Sequence, residues 1–140
     1  MTSLSFSKAK QIKKAPKKAV KKVKKSTLRN KADKLFSLNI RSIGICQLAG
    51  KDKVRCGGNL QTMHIITRGS TALRYEPLNA LCGCAGHHVW MTYHPDAWIA
   101  FVKKFYPAHW KYVEFHKNDK VKKTDDLYRA VIARYSKETL

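Results

Sequence analysis

Two short stretches decide the fold: residues 56–66 read CGGNLQTMHII, and residues 79–88 read NALCGCAGHH. Gly57-Gly58-Asn59 predicts a turn, and the apolar residues from Leu60 to Ile66 predict a short strand. Segments before and after these stretches carry helical patterns. The sequence therefore predicts a small α+β fold whose centre is rich in cysteine.

The four cysteines flank His64 as two pairs, Cys46 with Cys56 and Cys82 with Cys84. Tetrahedral zinc takes four thiolates, or thiolates plus imidazole, and such a site can clamp a small fold. We therefore predict a structural zinc ion on the four cysteines. The spacing leaves two alternatives open: His87 or His88 replaces one cysteine, or the cysteines are buried and bind no metal.

The length of the chain indicates its domain number, and its charge indicates the kind of partner that it binds. The 140 residues fit one domain, and 44% of them are hydrophobic, which is enough for a packed core. Lysine and arginine number 29 against 9 acidic residues, a formal net charge of +20. A polyanion such as DNA is the expected partner. The chain has no apolar run long enough for a membrane helix, so we expect no membrane partner and an intracellular location.

The basic charge is concentrated in residues 1–25, which contain no acidic residue. We predict that this segment is a disordered basic tail, because it has too little apolar surface to fold. Its lysines would neutralise DNA phosphates without reading sequence, and the pairs Lys17-Lys18 and Lys21-Lys22 typify it. Residues 26–140 are predicted to form the domain, with helices at its C-terminal end.

Several helices are predicted from apolar spacing and capping residues. The first follows a cap at Ser26 or Thr27, another starts at Pro95, a short one spans 108–115, and the last starts after Thr124. Residues 45–64 are predicted to form a small irregular hairpin. The aromatic residues are expected to pack in the core, namely Trp90, Tyr93, Trp98, Trp110 and Tyr112.

The order of polar residues resembles that of the HNH, or ββα-metal, nucleases. His64 stands at a strand end, Asn79 follows in a loop, and His87-His88 opens a helix. The closer resemblance is to the phage NinG (Rap) recombination nucleases. It covers roughly residues 26–106 and rests on Lys31-Ala32-Asp33-Lys34-Leu35-Phe36-Ser37 with Ile40-Arg41, on residues 60–69, and on Leu73-Arg74-Tyr75 before Asn79.

The resemblance implies a zinc-stabilised ββα-metal core with added helices, and it assigns roles to residues of that core. His64 would be the general base, and Asn79 would orient His64 or contact the metal. His88, preferred over His87 for its separation from His64, would hold the catalytic Mg²⁺ or Mn²⁺ ion. Arg68 and Arg74 flank this site and are expected to bind phosphates, since arginine offers two donors to phosphate oxygens.

The expected function is therefore divalent-metal-dependent DNA endonuclease activity on branched or recombination DNA during phage DNA processing, in the host cytoplasm. A homodimer is one expected assembly. The sequence departs from many HNH nucleases at Met63, because a thioether before the base cannot bind a hard cation. The alternative function is that of a non-catalytic, zinc-containing nucleic-acid-binding protein.

Overall fold

A computed structural model describes residues 25–138, in which five helices surround a two-stranded sheet. The predictions for residues 1–24, including Lys17, Lys18, Lys21 and Lys22, lie outside the described residues. Along the chain the elements are α1 (Lys25–Arg41), β1 (Leu60–His64), a 3₁₀ turn (Pro77–Asn79), β2 (Ala80–Cys84), α2 (Ala85–Tyr93), α3 (Pro95–Phe105), α4 (Pro107–His116) and α5 (Asp125–Glu138).

The sheet is an antiparallel pair followed at once by a helix. Leu60 pairs with Cys84 and His64 pairs with Ala80, so the end of β1 lies beside the start of β2. Helix α2 begins at Ala85, directly after β2. The chain thus has a strand-strand-helix core, and the confirmed fold class is α+β.

The two faces of the sheet carry two separate hydrophobic cores, because successive strand residues point to opposite faces. On one face Cys82 packs with residues of α1 and α5, such as Phe36 and Tyr135. On the other face Leu81 and Met63 pack with residues of α3 and α4. The sheet is therefore fixed from both sides, and its ends are free to carry polar groups.

The helix predictions are largely confirmed. Helix α3 begins at Pro95, α4 covers the predicted segment, and the N–H of Leu127 donates to Oγ1 of Thr124 at 3.2 Å as the cap of α5. Two predictions are wrong. Helix α1 already includes Ser26 and Thr27, so neither residue precedes it as a cap.

The second wrong prediction is the hairpin within residues 45–64. Strand β1 pairs with β2, while residues 45–59 form turns and loop. Glycines and charged residues in this segment favour turns over a second strand. The segment still packs against the fold, because Leu48 is buried in the core on the α3 side.

Only some of the aromatic residues that were predicted to pack in the core do so. Trp98 is buried, whereas Tyr93, near the end of α2, is 78% exposed.

Within residues 25–138, no helix combines the length and the apolar character needed to cross a membrane.

Candidate functional sites

One candidate site is a cluster of metal-ligating side chains at the junction of β2 and α2. The ligand atoms of Cys46, Cys56, Cys84 and His87 all lie within 4.8 Å of one another. Nδ1 of His87 lies 3.6, 3.6 and 3.2 Å from the Sγ atoms of Cys46, Cys56 and Cys84, respectively. A tetrahedral zinc ion with ordinary bond lengths separates its nitrogen and sulfur ligands by roughly 3.6 Å. The four side chains can hold a metal ion, and their spacing is compatible with structural zinc.

Three parts of the chain bring these ligands together. The N–H of Gln47 donates to the carbonyl oxygen of Cys82 at 2.7 Å, and Oε1 of Gln47 accepts from the N–H of Cys82 at 2.8 Å. This pair places Cys46 beside the end of β2. Gly58 has a φ of +80°, and its α-carbon passes so close to Ala85 that an added Cβ would lie 2.7 Å from the alanine Cβ. The tight crossing carries the loop of Cys56 over the start of α2.

The hydrogen bonds of His87 fix which ring nitrogen faces the cysteines. Nε2 lies 2.9 Å from Oδ1 of Asp52. An ionised carboxylate only accepts hydrogen bonds, so Nε2 is the protonated nitrogen and Nδ1 points its lone pair at the thiols. A histidine that binds a metal commonly donates its other N–H to a carboxylate in this way. Asp52 is therefore part of the site.

The local electrostatics favour thiolate at Cys84 and positive charge at His87. Burial would raise the pKa of the Cys84 thiol, but the N–H groups of His87 and Gly57 donate to its Sγ and lower that pKa to about 6. Burial would lower the pKa of His87, but its contacts with Asp52 and Cys84 raise it. The Cys84 thiolate and the Asp52 carboxylate thus favour positive charge at this position, and a bound metal ion would take the place of the proton on Nδ1 of His87.

The predicted set of four cysteines needs one correction. Cys82 is not part of the cluster, because its position on β2 turns its side chain into the core against α1 and α5. His87 takes its place, which was one of the alternatives left open by the sequence. Cys84 can reach the cluster because it ends the strand and caps α2, its Sγ accepting from the N–H of His87 at 3.4 Å.

The second candidate site is a polar pocket of about 330 Å³ between α1, the end of β1 and the start of α2. His64 and His88 both line it, together with residues of α1 and of the 67–74 loop. The full lining is Asp33, Phe36, Ser37, Thr62, His64, Thr67, Arg68, Arg74 and His88. The two histidines that the HNH resemblance singles out are thus brought to one space.

His64 is held in one orientation and in one tautomer. Its Nε2 lies 3.1 Å from the main-chain carbonyl oxygen of Arg74, and its ring packs 5.6 Å from the ring of Phe36. A carbonyl oxygen only accepts, so Nε2 carries the proton and Nδ1 carries the lone pair. The indole N–H of Trp98 donates to the carbonyl oxygen of His64 at 3.3 Å.

Burial lowers the pKa of His64, and the nearby charges of Arg68 and Arg74 lower it further, against the raising effect of its hydrogen bond to the Arg74 carbonyl. The imidazole is consequently neutral near pH 7. A neutral imidazole with a free lone pair can accept a proton.

His88 also leaves one ring nitrogen available. Its Nδ1 lies 2.6 Å from Oε1 of Gln61, which faces it from β1. If Nδ1 carries the proton that this amide oxygen accepts, Nε2 holds the lone pair. Burial lowers the pKa of His88 as well, which favours the neutral, metal-binding form.

Asn79 shapes the loop between the strands. Its Oδ1 accepts from the N–H of Ile66 at 2.8 Å, and its Nδ2 donates to the carbonyl oxygens of Ile66 and Leu73 at 3.0 Å each. The side chain is fully buried. Its described bonds go to the loop backbone, and none of them reaches the ring of His64.

The two predicted phosphate-binding arginines have different surroundings. Arg74 donates to both carboxylate oxygens of Asp33, at 2.8 and 2.6 Å, and its Nη1 donates to the carbonyl oxygen of Arg68. Partial burial would raise the pKa of Asp33, but the hydrogen bonds from Arg74 and Tyr75 lower it. Arg68 is exposed and makes no side-chain hydrogen bond or ion pair within residues 25–138. Of the two arginines, Arg68 is the one open to a ligand.

The position of Met63 is explained by strand alternation. Met63 is buried in the core on the α3 side, while Thr62 and His64 line the pocket on the other face. Met63 is thus turned away from the pocket.

Comparison with known proteins leaves the family open. The chain matches no protein-family model, no curated protein and no solved structure.

Proposed function

We propose that the protein is a divalent-metal-dependent DNA endonuclease of the HNH type that acts on branched or recombination DNA. One observation carries the proposal: His64, at the end of β1, and His88, in the first turn of α2, line the same polar pocket. Phosphodiester hydrolysis needs a base for the attacking water and a cation at the phosphate. The two imidazoles can serve these two needs.

In the proposed reaction His64 is the general base. Its Nδ1 takes a proton from water as the water oxygen bonds to phosphorus, while Nε2–H stays bonded to the Arg74 carbonyl. The bond between phosphorus and the 3′ oxygen breaks, and that oxygen takes a proton from solvent. A well-placed general base accelerates such a step about 10²- to 10⁴-fold.

His88 is the proposed ligand of the catalytic Mg²⁺ or Mn²⁺ ion, through Nε2. A divalent cation bound there would polarise a phosphate oxygen and stabilise the leaving 3′ oxygen. Gln61 holds the His88 ring from the opposite nitrogen, at 2.6 Å. This arrangement fits the general pattern in which a histidine ligand is oriented by a hydrogen bond at its second nitrogen.

We further propose that Cys46, Cys56, Cys84 and His87 hold a structural zinc ion. The group joins the 45–59 turns to the end of β2 and the start of α2. Helix α2 carries His88, and the 45–59 segment leads directly into β1, which carries Gln61. Zinc would therefore stabilise the pocket without taking part in hydrolysis.

The proposed substrate, DNA, suits the charge of the chain. The formal net charge is +20, and Arg68 stands exposed at the pocket. The lysines of residues 1–25 would add affinity that depends strongly on salt. Cutting a branched DNA in two strands would require two active sites, which a homodimer would provide.

The test is a cleavage assay with Mg²⁺ or Mn²⁺ on linear, flap and four-way DNA. His64→Ala should abolish cleavage and leave DNA affinity nearly unchanged. His94→Ala is the matched control, because His94 is exposed and bonds to the carbonyl oxygen of Trp90 outside the pocket. Cleavage by the His64 variant at the wild-type rate would reject the assignment.

One observation favours the second candidate, a non-catalytic zinc-containing nucleic-acid-binding protein. Asp33 is the one carboxylate among the residues lining the pocket, and both of its oxygens accept hydrogen bonds from Arg74. A hard cation would thus find few free oxygen ligands. For this candidate, the wild-type protein would bind the three DNAs and cleave none with either metal.

A further inference from the structure

A second pocket, of about 290 Å³, lies on the other side of His64 and His88. Its volume is near the lower end of the range for small-molecule sites. Most of its lining is apolar and comes from β1, the residue after it, α2 and α3. These apolar residues are Met63, Ile65, Met91, Pro95, Trp98 and Ile99.

The polar pocket and this apolar pocket share a wall. His64, Thr67 and His88 line both of them. On one side of the wall are the guanidinium group of Arg68 and the hydroxyls of Ser37 and Thr62. On the other side, the described lining contains no aspartate, glutamate, lysine or arginine, and Thr92 is its one polar residue apart from the shared His64, Thr67 and His88.

The division matches the two halves of a nucleotide. A phosphate is anionic and accepts hydrogen bonds, whereas a base is flat and gains about 1 to 3 kcal/mol from stacking on an aromatic side chain. We propose that the apolar pocket is a nucleobase site, which receives the base of a nucleotide adjoining the phosphate held between His64 and His88. This inference rests on the proposed function. It specifies that the DNA substrate is bound with one base outside the stack.

The consequence is that the nucleotide at the cut must be unstacked from its neighbours. A base inside a continuous duplex cannot enter a pocket without leaving the stack, which costs a few kcal/mol. Strands with a free or loosely stacked nucleotide avoid this cost. The protein should therefore prefer DNA in which the nucleotide beside the cut is unpaired.

Trp98 links base binding to the proposed base catalyst. It lines the apolar pocket, and its indole N–H donates to the carbonyl oxygen of His64 at 3.3 Å. A base that packs on this pocket touches the side chain that holds the His64 backbone. Filling the pocket should consequently fix His64 more firmly.

The first test measures binding without cleavage, by NMR on the full chain. Thymidine 5′-monophosphate is compared with deoxyribose 5-phosphate, which has the same phosphate and sugar but lacks the base. The nucleotide should shift the methyl signals of Met91 and Ile99 and the indole signal of Trp98. The sugar phosphate should shift signals near Arg68 and leave those three unchanged. Equal effects of the two compounds on the three signals would overturn the inference.

The second test measures cleavage of a strand that has an abasic residue beside the cut. Removing the base should slow cleavage by the wild-type protein about tenfold, given the usual strength of base stacking. Ile99→Glu places a carboxylate in the pocket and should cleave the intact and abasic strands at the same reduced rate. Ala100→Glu makes the same charge change at the next, exposed position and should keep the tenfold difference.

The two tests separate the inference from the proposed function. Metal-dependent cleavage with equal rates on intact and abasic strands would overturn the nucleobase site and leave the nuclease proposal standing. Base-dependent NMR shifts in a protein that cleaves no DNA would support the nucleobase site and reject the nuclease.

Discussion

Nε2 of His64 lies 3.1 Å from the main-chain carbonyl oxygen of Arg74. This contact sets the tautomer of the imidazole, because the carbonyl can only accept. The Arg74 side chain in turn donates to both carboxylate oxygens of Asp33 on α1. The ion pair between Arg74 and Asp33 thus anchors the residue whose carbonyl oxygen orients His64.

The acid limb of the pH profile should reflect the lowered pKa of His64. Burial, together with Arg68 and Arg74, places that pKa below its ordinary value of 6.5. Protonation removes the base, so kcat/KM should fall at low pH with a midpoint below pH 6.5. The measurement is cleavage rate against pH. A midpoint at or above pH 7 would be incompatible with this environment.

Asp33→Asn should slow cleavage more than it weakens DNA binding. The substitution removes the charge that anchors Arg74, and small displacements of a catalytic group can cost up to about 100-fold in rate. We expect kcat to fall about 10- to 100-fold with little change in KM. Asp33 also raises the pKa of His64, so the acid limb should shift to lower pH.

Tyr75→Phe is the control for Asp33→Asn. It removes the Tyr75 hydroxyl, which donates to Oδ1 of Asp33 at 2.8 Å, but keeps the pair with Arg74. Its rate should stay within a few-fold of the wild type. Equal losses in the two variants would show that the Arg74 anchor is not the cause.

On the proposed zinc assignment, the wild type and Cys82→Ala should each contain one zinc ion per chain, and Cys84→Ser should contain none. Cys84 belongs to the cluster and Cys82 belongs to the core. Structural zinc can supply about 10 to 16 kcal/mol of apparent binding energy, so its loss should lower the melting temperature sharply. The core substitution should cost about 1 kcal/mol. Zinc content by atomic emission and thermal unfolding check both variants, and loss of zinc from Cys82→Ala would disprove the ligand assignment.

Asn79→Ala should destabilise the fold by about 2 to 4 kcal/mol, because the N–H of Ile66 and the carbonyl oxygens of Ile66 and Leu73 lose their buried partner. The measurement is urea unfolding. Asn59→Ala, at an exposed position, should change the free energy of unfolding by less than about 0.5 kcal/mol. Similar values for the two variants would contradict the loop-shaping role of Asn79.

Most of the helices could be predicted because local patterns determine them, whereas the strand-strand-helix order was implied only by the resemblance to the ββα-metal nucleases. Apolar spacing placed α1, and Pro95 and Thr124 marked helix starts. The partner of β1 could not be read from such patterns, since pairing depends on contacts distant in sequence. The same limit explains Tyr93. Its aromatic side chain is of a type common in protein cores, but its position near the end of α2 leaves it exposed.

The sequence predicted that metal-ligating side chains form a cluster, but it did not determine which four residues belong to that cluster. Cysteine content indicated a site, yet the choice between Cys82 and His87 depends on where β2 ends and α2 begins. Asp52 carried no signal, because it lies 35 residues before His87 in an ordinary charged turn. Asp33 likewise has the appearance of a surface residue of α1, and only the fold reveals its pair with Arg74.

Chemical rescue tests the role of His64 most directly. Single-turnover cleavage of four-way DNA is measured for His64→Ala with and without added imidazole. The account predicts a rate at least about 100-fold below the wild type, which rises with imidazole concentration because a free base replaces the missing ring. A His64→Ala protein that cleaves at the wild-type rate without imidazole would contradict it.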